Sequence, residues 1–511
     1  MKTNRKTALF RLTSLLCAAL AAGGVLSSCG EAAAAPAATE ALPENETVTE
    51  PVTEAEPDPF ADFDYNGQKI SIYTSTNDPG GVGNSNYLIE GPEEETGDVV
   101  NDSAFIRNRT VEELLNIDLV FTQLDADYTA CGSNISKLIM AGDDVYDIII
   151  NDLFPLAGLS LEGNFRNMAE APYIDDSRTY WYKDYMDQLS LDGKKRFLLA
   201  GDFFIDVLRS AHALYFNKNM LGDLYDTSDI LYEEVLNGTW TYEKLLTYID
   251  DCYQDLNGDG KRDMSDRYGL VEFQIWGPSI PFMISADLDY VTLNTDGTMT
   301  LAMNNERSVK LLELLNRIFY SDGTCVTEGM GSTDTLADQM RMFKSGQSLF
   351  LGYNRLGSLE SLRDMEYEIG VIPYPKLDEA QEDYVSSSHD TTEIGCIPVT
   401  CGRYETTCAV LEVLCRETQK IVLPAYYETG LKVKYSRDDL SSQMIDLIHD
   451  HIGGSFALAF NNACADIFLK STFYNALNEN TRDFASRYAK VEKSGQTKLD
   501  ALVEQFSALE P

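Results

Sequence analysis

Basic side chains are scarce in this chain. Lys and Arg number 40 against 82 Asp and Glu, and the formal net charge is −42. Nucleic-acid binding depends on clustered cations that neutralise phosphates, so the supply of charge excludes that class of partner. The acidic excess instead suits the solubility of an exposed protein. Histidine is also rare, with 4 in 511 residues, and the short signatures of common catalysts are missing. There is no G-x-S-x-G elbow, no phosphate-cradling P-loop, no H-E-x-x-H and no G-x-G-x-x-G after a strand. The expectation is a protein that binds without catalysing. Carboxylate pairs of the glycosidase kind arise by chance among so many acids and carry no information. His449-Asp450-His451 reads as the end of a helix, where histidine favours the dipole, and not as a metal site. After residue 30 no uncharged apolar run approaches the roughly twenty residues that span a bilayer.

The one long apolar run is N-terminal. Lys2, Arg5, Lys6 and Arg11 precede the uncharged stretch Leu12 to Gly30, which has the layout of a signal peptide and is too short to span. Its end, Leu26-Ser27-Ser28-Cys29-Gly30, resembles a bacterial lipobox, which implies residues 1–28 as signal peptide and Cys29 as the lipidated N-terminus on the extracellular face of the membrane. Ordinary secretory cleavage within Ala32 to Ala38 is the alternative. Residues 29–60 are rich in Ala, Pro, Thr and Glu without periodicity, the composition of a disordered, self-repelling linker.

About 450 residues remain, more than one hydrophobic core serves, so two lobes are expected. Tyr65-Asn66-Gly67 marks a turn and Lys69 to Tyr73 a strand. Asn101-Asp102-Ser103 supplies a cap for a helix to Asn116; Asp118 to Phe121 follows as a strand, Ser133 to Met140 as a helix and Asp147 to Ile150 as a buried strand. Such alternation implies an α/β lobe with a largely parallel sheet, whose ligands lie beyond the carboxyl ends of strands. Asn151-Asp152-Leu153-Phe154 is therefore a lip candidate. Thr241 is placed to cap a helix with the apolar stripe Leu245, Leu246, Ile249, Cys252 and Tyr253, and Trp240 is assigned to core. Pro373 and Pro375 end a strand at Val371-Ile372. Eight cysteines follow the lipobox. The x4, x6, x6 spacing of Cys396, Cys401, Cys408 and Cys415 fits no metal pattern, and both buried thiols and a Cys396–Cys401 bridge are open.

Several segments, in order, carry a resemblance. They are Arg107-Asn108-Arg109-Thr110-Val111-Glu112-Glu113-Leu114 through Asp118, Ala213-Leu214-Tyr215-Phe216-Asn217-Lys218, Gly238-Thr239-Trp240-Thr241-Tyr242-Glu243-Lys244-Leu245, Met342-Phe343-Lys344-Ser345-Gly346-Gln347 and Ile369-Gly370-Val371-Ile372-Pro373-Tyr374-Pro375-Lys376. Together they resemble the extracellular solute-binding lipoproteins of bacterial ABC transporters, of the sugar-binding, family 1-like type. The resemblance implies a two-lobed periplasmic-binding-protein-like (type II) α/β fold. In it, residues 61–206 form lobe I, 207–380 lobe II and 381–452 a return to lobe I, with 453–511 as C-terminal helices mainly on lobe II. It also implies a monomer that captures a carbohydrate or oligosaccharide between closing lobes and delivers it to an ABC permease. A peptide or other polar solute is the alternative ligand, and a surface glycan hydrolase or adhesion module the alternative class.

Sugar faces lie on flat aromatic rings while a few polar groups select hydroxyls. The candidate ligand-binding residues are Trp276, in a turn after the strand Tyr268 to Phe273, and Tyr353, Asn354 and Arg355, after the strand Ser348 to Leu351; Trp181, Tyr182 and Asp202 come next, then His389 and Asp390. No cofactor is required. A structural calcium ion is the reading of Asp255, Asn257, Asp259, Lys261, Asp263 and Asp266, whose spacing places oxygens around a turn at Gly260. Asp266 is one methylene shorter than the usual closing glutamate. An acidic Asx-turn loop without metal is the alternative.

Overall fold

The structure, a computed structural model, describes residues 58–76, 84–124, 128–191, 193–362, 365–427 and 439–509. The signal peptide, Cys29 and the linker up to residue 57 lie outside the described residues. The described residues begin at Asp58, inside the segment expected to be linker. Arg416 holds both Asp58 carboxylate oxygens at 2.9 Å, and the Phe60 ring is buried under the same guanidinium. The linker composition therefore stops short of residue 60.

Two sheets organise the chain. The first contains β1 (Gln68–Ser75), β2 (Ile117–Leu124), β3 (Ile148–Asp152) and, much later, β11 (Glu393–Cys396), in the order β11-β3-β1-β2. β1 runs parallel to β2 and β3, and β11 is an antiparallel edge. The second contains β4 (His212–Asn217), β5 (Tyr268–Glu272), β8 (Thr324–Val326), β9 (Ser348–Arg355) and β10 (Ile369–Ile372), in the order β10-β4-β9-β5-β8. Here β5 is parallel to both neighbours while β4 pairs antiparallel with β9 and β10. A small hairpin, β6 (Val291–Leu293) with β7 (Met299–Leu301), stands apart. The fully buried runs IIIND in β3 and YGLVE in β5 are read as central strands covered on both faces.

Helix starts depart from expectation in detail. The helix Val99–Leu115 is capped by Asp98, whose side chain accepts from the amides of Val100 and Asn101; Asp102 instead reaches back to the amides of Thr96 and Gly97. Thr241 precedes the helix Tyr242–Cys252 without a side-chain cap bond. Trp240 is fully buried and donates to the Pro373 carbonyl at 3.0 Å, which fixes the proline-bounded exit from β10.

The chain passes between the sheets several times. The passage from β11's neighbours into β4 and the return passage toward β11 run antiparallel beside each other: Ala211 bridges Ser388, the His212 amide donates to Ser387 and the His389 amide donates to Ser210. The helix Asp439–Asp450, expected with the first lobe, packs instead on β10 and on the helix Ile230–Leu236 of the second. Its apolar face meets that sheet's edge, and Ser441 hydrogen-bonds Tyr232. The C-terminal helices are divided. Ser455–Phe460 lies against Leu153–Ser160 and Lys183–Leu189 of the first lobe, whereas Asn475–Asn478 and Phe484–Ser507 pack on Glu306–Tyr320 and the hairpin. Among the described residues no helix is long and apolar enough to cross a membrane.

Candidate ligand-binding site

A cavity of about 470 Å³ opens where the two passages meet, and its walls come from both lobes and the C-terminal segment. Phe154 contributes from the first lobe, Trp276 and Tyr353 from the second, and His212, His389 and Asp390 from the passages themselves. The volume and the mixture of rings with a few polar groups suit a small polar solute.

Tyr353 is held in place by an irregular strand. Ala213 faces Asn354 and Tyr215 faces Leu351, so Leu214 alone stands opposite Gly352 and Tyr353. This is a β-bulge, a device that re-aims a side chain. Tyr353 takes a left-handed φ of 47°, a conformation that costs a non-glycine residue about 1–3 kcal/mol and concentrates at functional sites. The Tyr374 hydroxyl accepts from its amide at 2.9 Å. Gly352 leaves room for Glu272, since a Cβ there would overlap the buried Glu272 carboxyl. Burial beneath the bulge pushes that carboxyl well above the usual range.

The Tyr353 hydroxyl reaches His389 Nε2 at 2.7 Å. Burial pushes the tyrosine hydroxyl up to about 12, and burial together with the Arg355 charge holds His389 below the ordinary imidazole value. Although burial opposes its charge, Asp390 is held below the usual carboxylate range by His389 and Arg355. The floor therefore sets the Tyr353 and His389 rings beside the Asp390 carboxyl group.

Trp276 does not lie in a turn. It opens the helix Trp276–Ser285, because the Gly-Pro pair that signals a turn is also accepted in a first helical turn, where proline's missing amide is unneeded. Its ring and that of Tyr474 meet edge-to-face at 4.9 Å between centroids, and Lys470 Nζ lies 5.8 Å from its centroid.

Asn354 and Arg355 belong to β9 itself and are buried. Asn354 donates to the Gly352 carbonyl, and Arg355 stacks 4.9 Å from the Tyr353 centroid, supporting that ring from behind. Trp181 and Tyr182 border a different crevice of about 390 Å³ with His449 and Asp450. There Trp181 donates to Glu412, and Tyr182 donates at 3.0 Å to Asp202, itself buried. The lip residues Asn151 and Asp152 end β3, and only Phe154 reaches the cavity.

Sequence reasoning missed His212, Gln274 and the C-terminal contributors Asn461, Asn462, Asp466 and Lys470. His212 carried one signal, as one of few histidines and at a strand start beside a passage. The C-terminal residues carried none, since nothing local ties them to a site about 190 residues earlier in the chain.

In the 255–266 loop, the side chains turn to their own backbone. Asp255 accepts from the amides of Gly258 and Gly260, Asn257 from Asp259, Asp259 from Lys261 and Asp263 from Ser265. Asp266 is buried and accepts from the Leu256 amide. Among the described residues no group of three or more His, Cys, Asp or Glu side chains is placed to hold a metal ion. The eight cysteines after Cys29 are buried free thiols, including Cys396 and Cys401.

No family model matches the sequence, and no curated protein matches it. Solved structures do. An uncharacterized protein from Listeria monocytogenes EGD-e superposes with a TM-score of 0.55 at 11% identity, covering 84% of this chain and 100% of its own. The extracellular solute-binding protein from Staphylococcus aureus in complex with maltose superposes with a TM-score of 0.50 at 12% identity, covering 86% and 97%. The chain has a two-lobed solute-binding-protein fold. In a solute-binding-protein fold, a cavity between lobes and against their connecting passages is where closure can enclose a ligand.

Proposed function

We propose that this protein is an extracellular receptor that captures a neutral carbohydrate in the cavity between its lobes and delivers it to an ABC permease. One observation carries the reading: Trp276 and Tyr353 meet the hinge histidines in a single cavity of about 470 Å³ at the passages between lobes. The maltose held by the Staphylococcus aureus neighbour supports the ligand class. Binding drives closure only through tighter contacts in the closed state, and a cavity with walls on both lobes meets that condition. The protein acts as a monomer tethered through Cys29, by the lipobox, with the acidic linker as spacer.

Thermal-shift screening of neutral sugars, peptides and acidic sugars tests the ligand class. A sugar at about a hundred times its dissociation constant adds about 2.7 kcal/mol to stability. Stabilisation by peptides alone, or turnover of a chromogenic glycoside above background, overturns the reading. For the anchor, Cys29→Ala is expected to move the protein into the medium with ligand affinity unchanged; retention at the membrane contradicts lipid attachment.

A further inference from the structure

The C-terminal wall of the cavity is built from irregular backbone. The helix Ser455–Phe460 ends at Asn461, and the chain then passes through Ala465 and Asp466, left-handed at φ 59° and 57°, into the π-helical turn Lys470–Tyr474. Left-handed backbone outside glycine and π-helical turns are both uncommon, and both concentrate at functional sites. Asn461 fastens this strap from within. It is buried; its Nδ2 donates to Asp466 Oδ1 at 3.1 Å, its Oδ1 accepts from the Leu469 amide at 3.1 Å and its carbonyl oxygen accepts from the Asp466 amide at 2.8 Å. What the irregular turn places on the cavity wall is Asp466 and Lys470.

Both charges are open. Lys470 is exposed, its Nζ stands over the Trp276 ring at 5.8 Å from the centroid, and it forms no hydrogen bond or ion pair among the described residues. Asp466 is half-buried; Asn461 takes one carboxylate oxygen, and the other has no partner among the described residues and keeps solvent access. Two opposite charges on one short strap are thus left unpaired beside a flat ring. A pyranose laid on the indole at a carbon contact distance of about 4 Å brings its edge hydroxyls within reach of a cation held 5.8 Å from that ring. A hydroxyl both donates and accepts, so an ammonium and a carboxylate are served by two hydroxyls of one ring. We propose that Trp276, Asp466 and Lys470 form a sugar subsite on the C-terminal wall, with the indole as platform, Lys470 Nζ as donor and Asp466 as acceptor to hydroxyls of one neutral sugar ring. The inference rests on the carbohydrate reading above and deepens it. The two charges offset each other, which favours a neutral ring over an anion or a cation, and Asn461 is the positioning residue that holds Asp466 in place.

Tryptophan fluorescence of the full chain tests this. Trp181 and Trp240 are buried while the Trp276 ring is half-buried, so acrylamide quenching reports Trp276, with its signal assigned by its loss in Trp276→Phe. Maltose and galacturonate are titrated into wild type, Lys470→Met and Asp466→Asn, with affinities from calorimetry and circular dichroism confirming that the variants are folded. Wild type is expected to bind maltose with Trp276 shielded from acrylamide, and each variant to bind it at least fivefold more weakly. The affinity for galacturonate relative to maltose is expected to rise at least threefold in Asp466→Asn, which leaves the lysine uncompensated, and to fall in Lys470→Met; a purely structural role moves neither ratio. Equal maltose affinity in the three proteins, or binding that leaves Trp276 quenching unchanged, overturns the subsite while the receptor reading stands. An unchanged ratio in both variants overturns the charge balance. Wild type that binds neither saccharide overturns the ligand half of the proposal, and a peptide that shields Trp276 in their place overturns the carbohydrate reading itself.

Discussion

Gly277 sits where the Tyr353 ring leans on the Trp276–Ser285 helix: a Cβ at that position would meet Tyr353 Cζ at 2.9 Å and its hydroxyl at 3.0 Å. The contact is with the far end of a side chain, so Gly277→Ala displaces the ring and leaves the backbone in place. Overpacking of this kind costs about 1–3 kcal/mol, and here it falls on the site. We expect Gly277→Ala to weaken sugar binding about tenfold while lowering the melting temperature by only a few degrees, measured by calorimetry and thermal unfolding; unaltered affinity would show that the Tyr353 position is unimportant. The residues that sequence made legible are those whose chemistry is unusual for their surroundings. Trp276, Tyr353, His389 and Asp390 converge, because aromatic and imidazole groups next to strand ends and passages have few reasons to be there. Asn354 and Arg355 do not face the cavity, since the bulge at Gly352 and Tyr353 resets the alternation along β9 and no local signal announces it. Trp181 and Tyr182 line a different crevice, with their polar atoms occupied by Glu412 and Asp202.

At the scale of elements, the 255–266 loop is closed by its own amides, with each early acidic or amide side chain accepting from a backbone N–H two to five residues on. These are Asx turns, which shape the loop. The expectation is therefore that millimolar calcium leaves the unfolding temperature unchanged and produces no binding heat. A rise of several degrees with calcium, reversed by a chelator, supports the metal reading of Asp255, Asn257, Asp259, Lys261, Asp263 and Asp266 instead. The periodic elements were legible: the stripe Leu245, Leu246, Ile249 and Cys252 is buried, and the strand into Pro373 ends at Ile372 as its prolines require. What periodicity could not reveal was which sheet receives each late helix. The amphipathic pattern of Asp439–Asp450 says that one face is buried, and its seating on β10 is decided by long-range packing that no local window contains.

Across the whole molecule, that helix creates an ion pair between the two halves. His449 Nε2 lies 3.4 Å from Asp202 Oδ1, and Nδ1 lies 3.0 Å from Asp450. Burial opposes charge on the imidazole, yet the two carboxylates push it up to about 9. A histidine with a raised folded pKa contributes stability that is full below its unfolded value near 6.5 and lost as pH rises through about 9. Denaturant unfolding should therefore lose about 1–3 kcal/mol between pH 6.5 and 9.5, and His449→Gln should flatten that slope; an identical slope in the variant contradicts the assignment. The lobes, their repeated passages and the cavity between them form one arrangement in which anything bound at the hinge touches both halves. Isothermal titration calorimetry with neutral saccharides, on wild type and Trp276→Ala, tests this most directly. We predict saturable binding of at least one neutral sugar by wild type and at least a tenfold loss in the variant. Equal affinity in the two proteins, or binding of peptides with no heat from any sugar, would contradict a carbohydrate receptor built on this cavity.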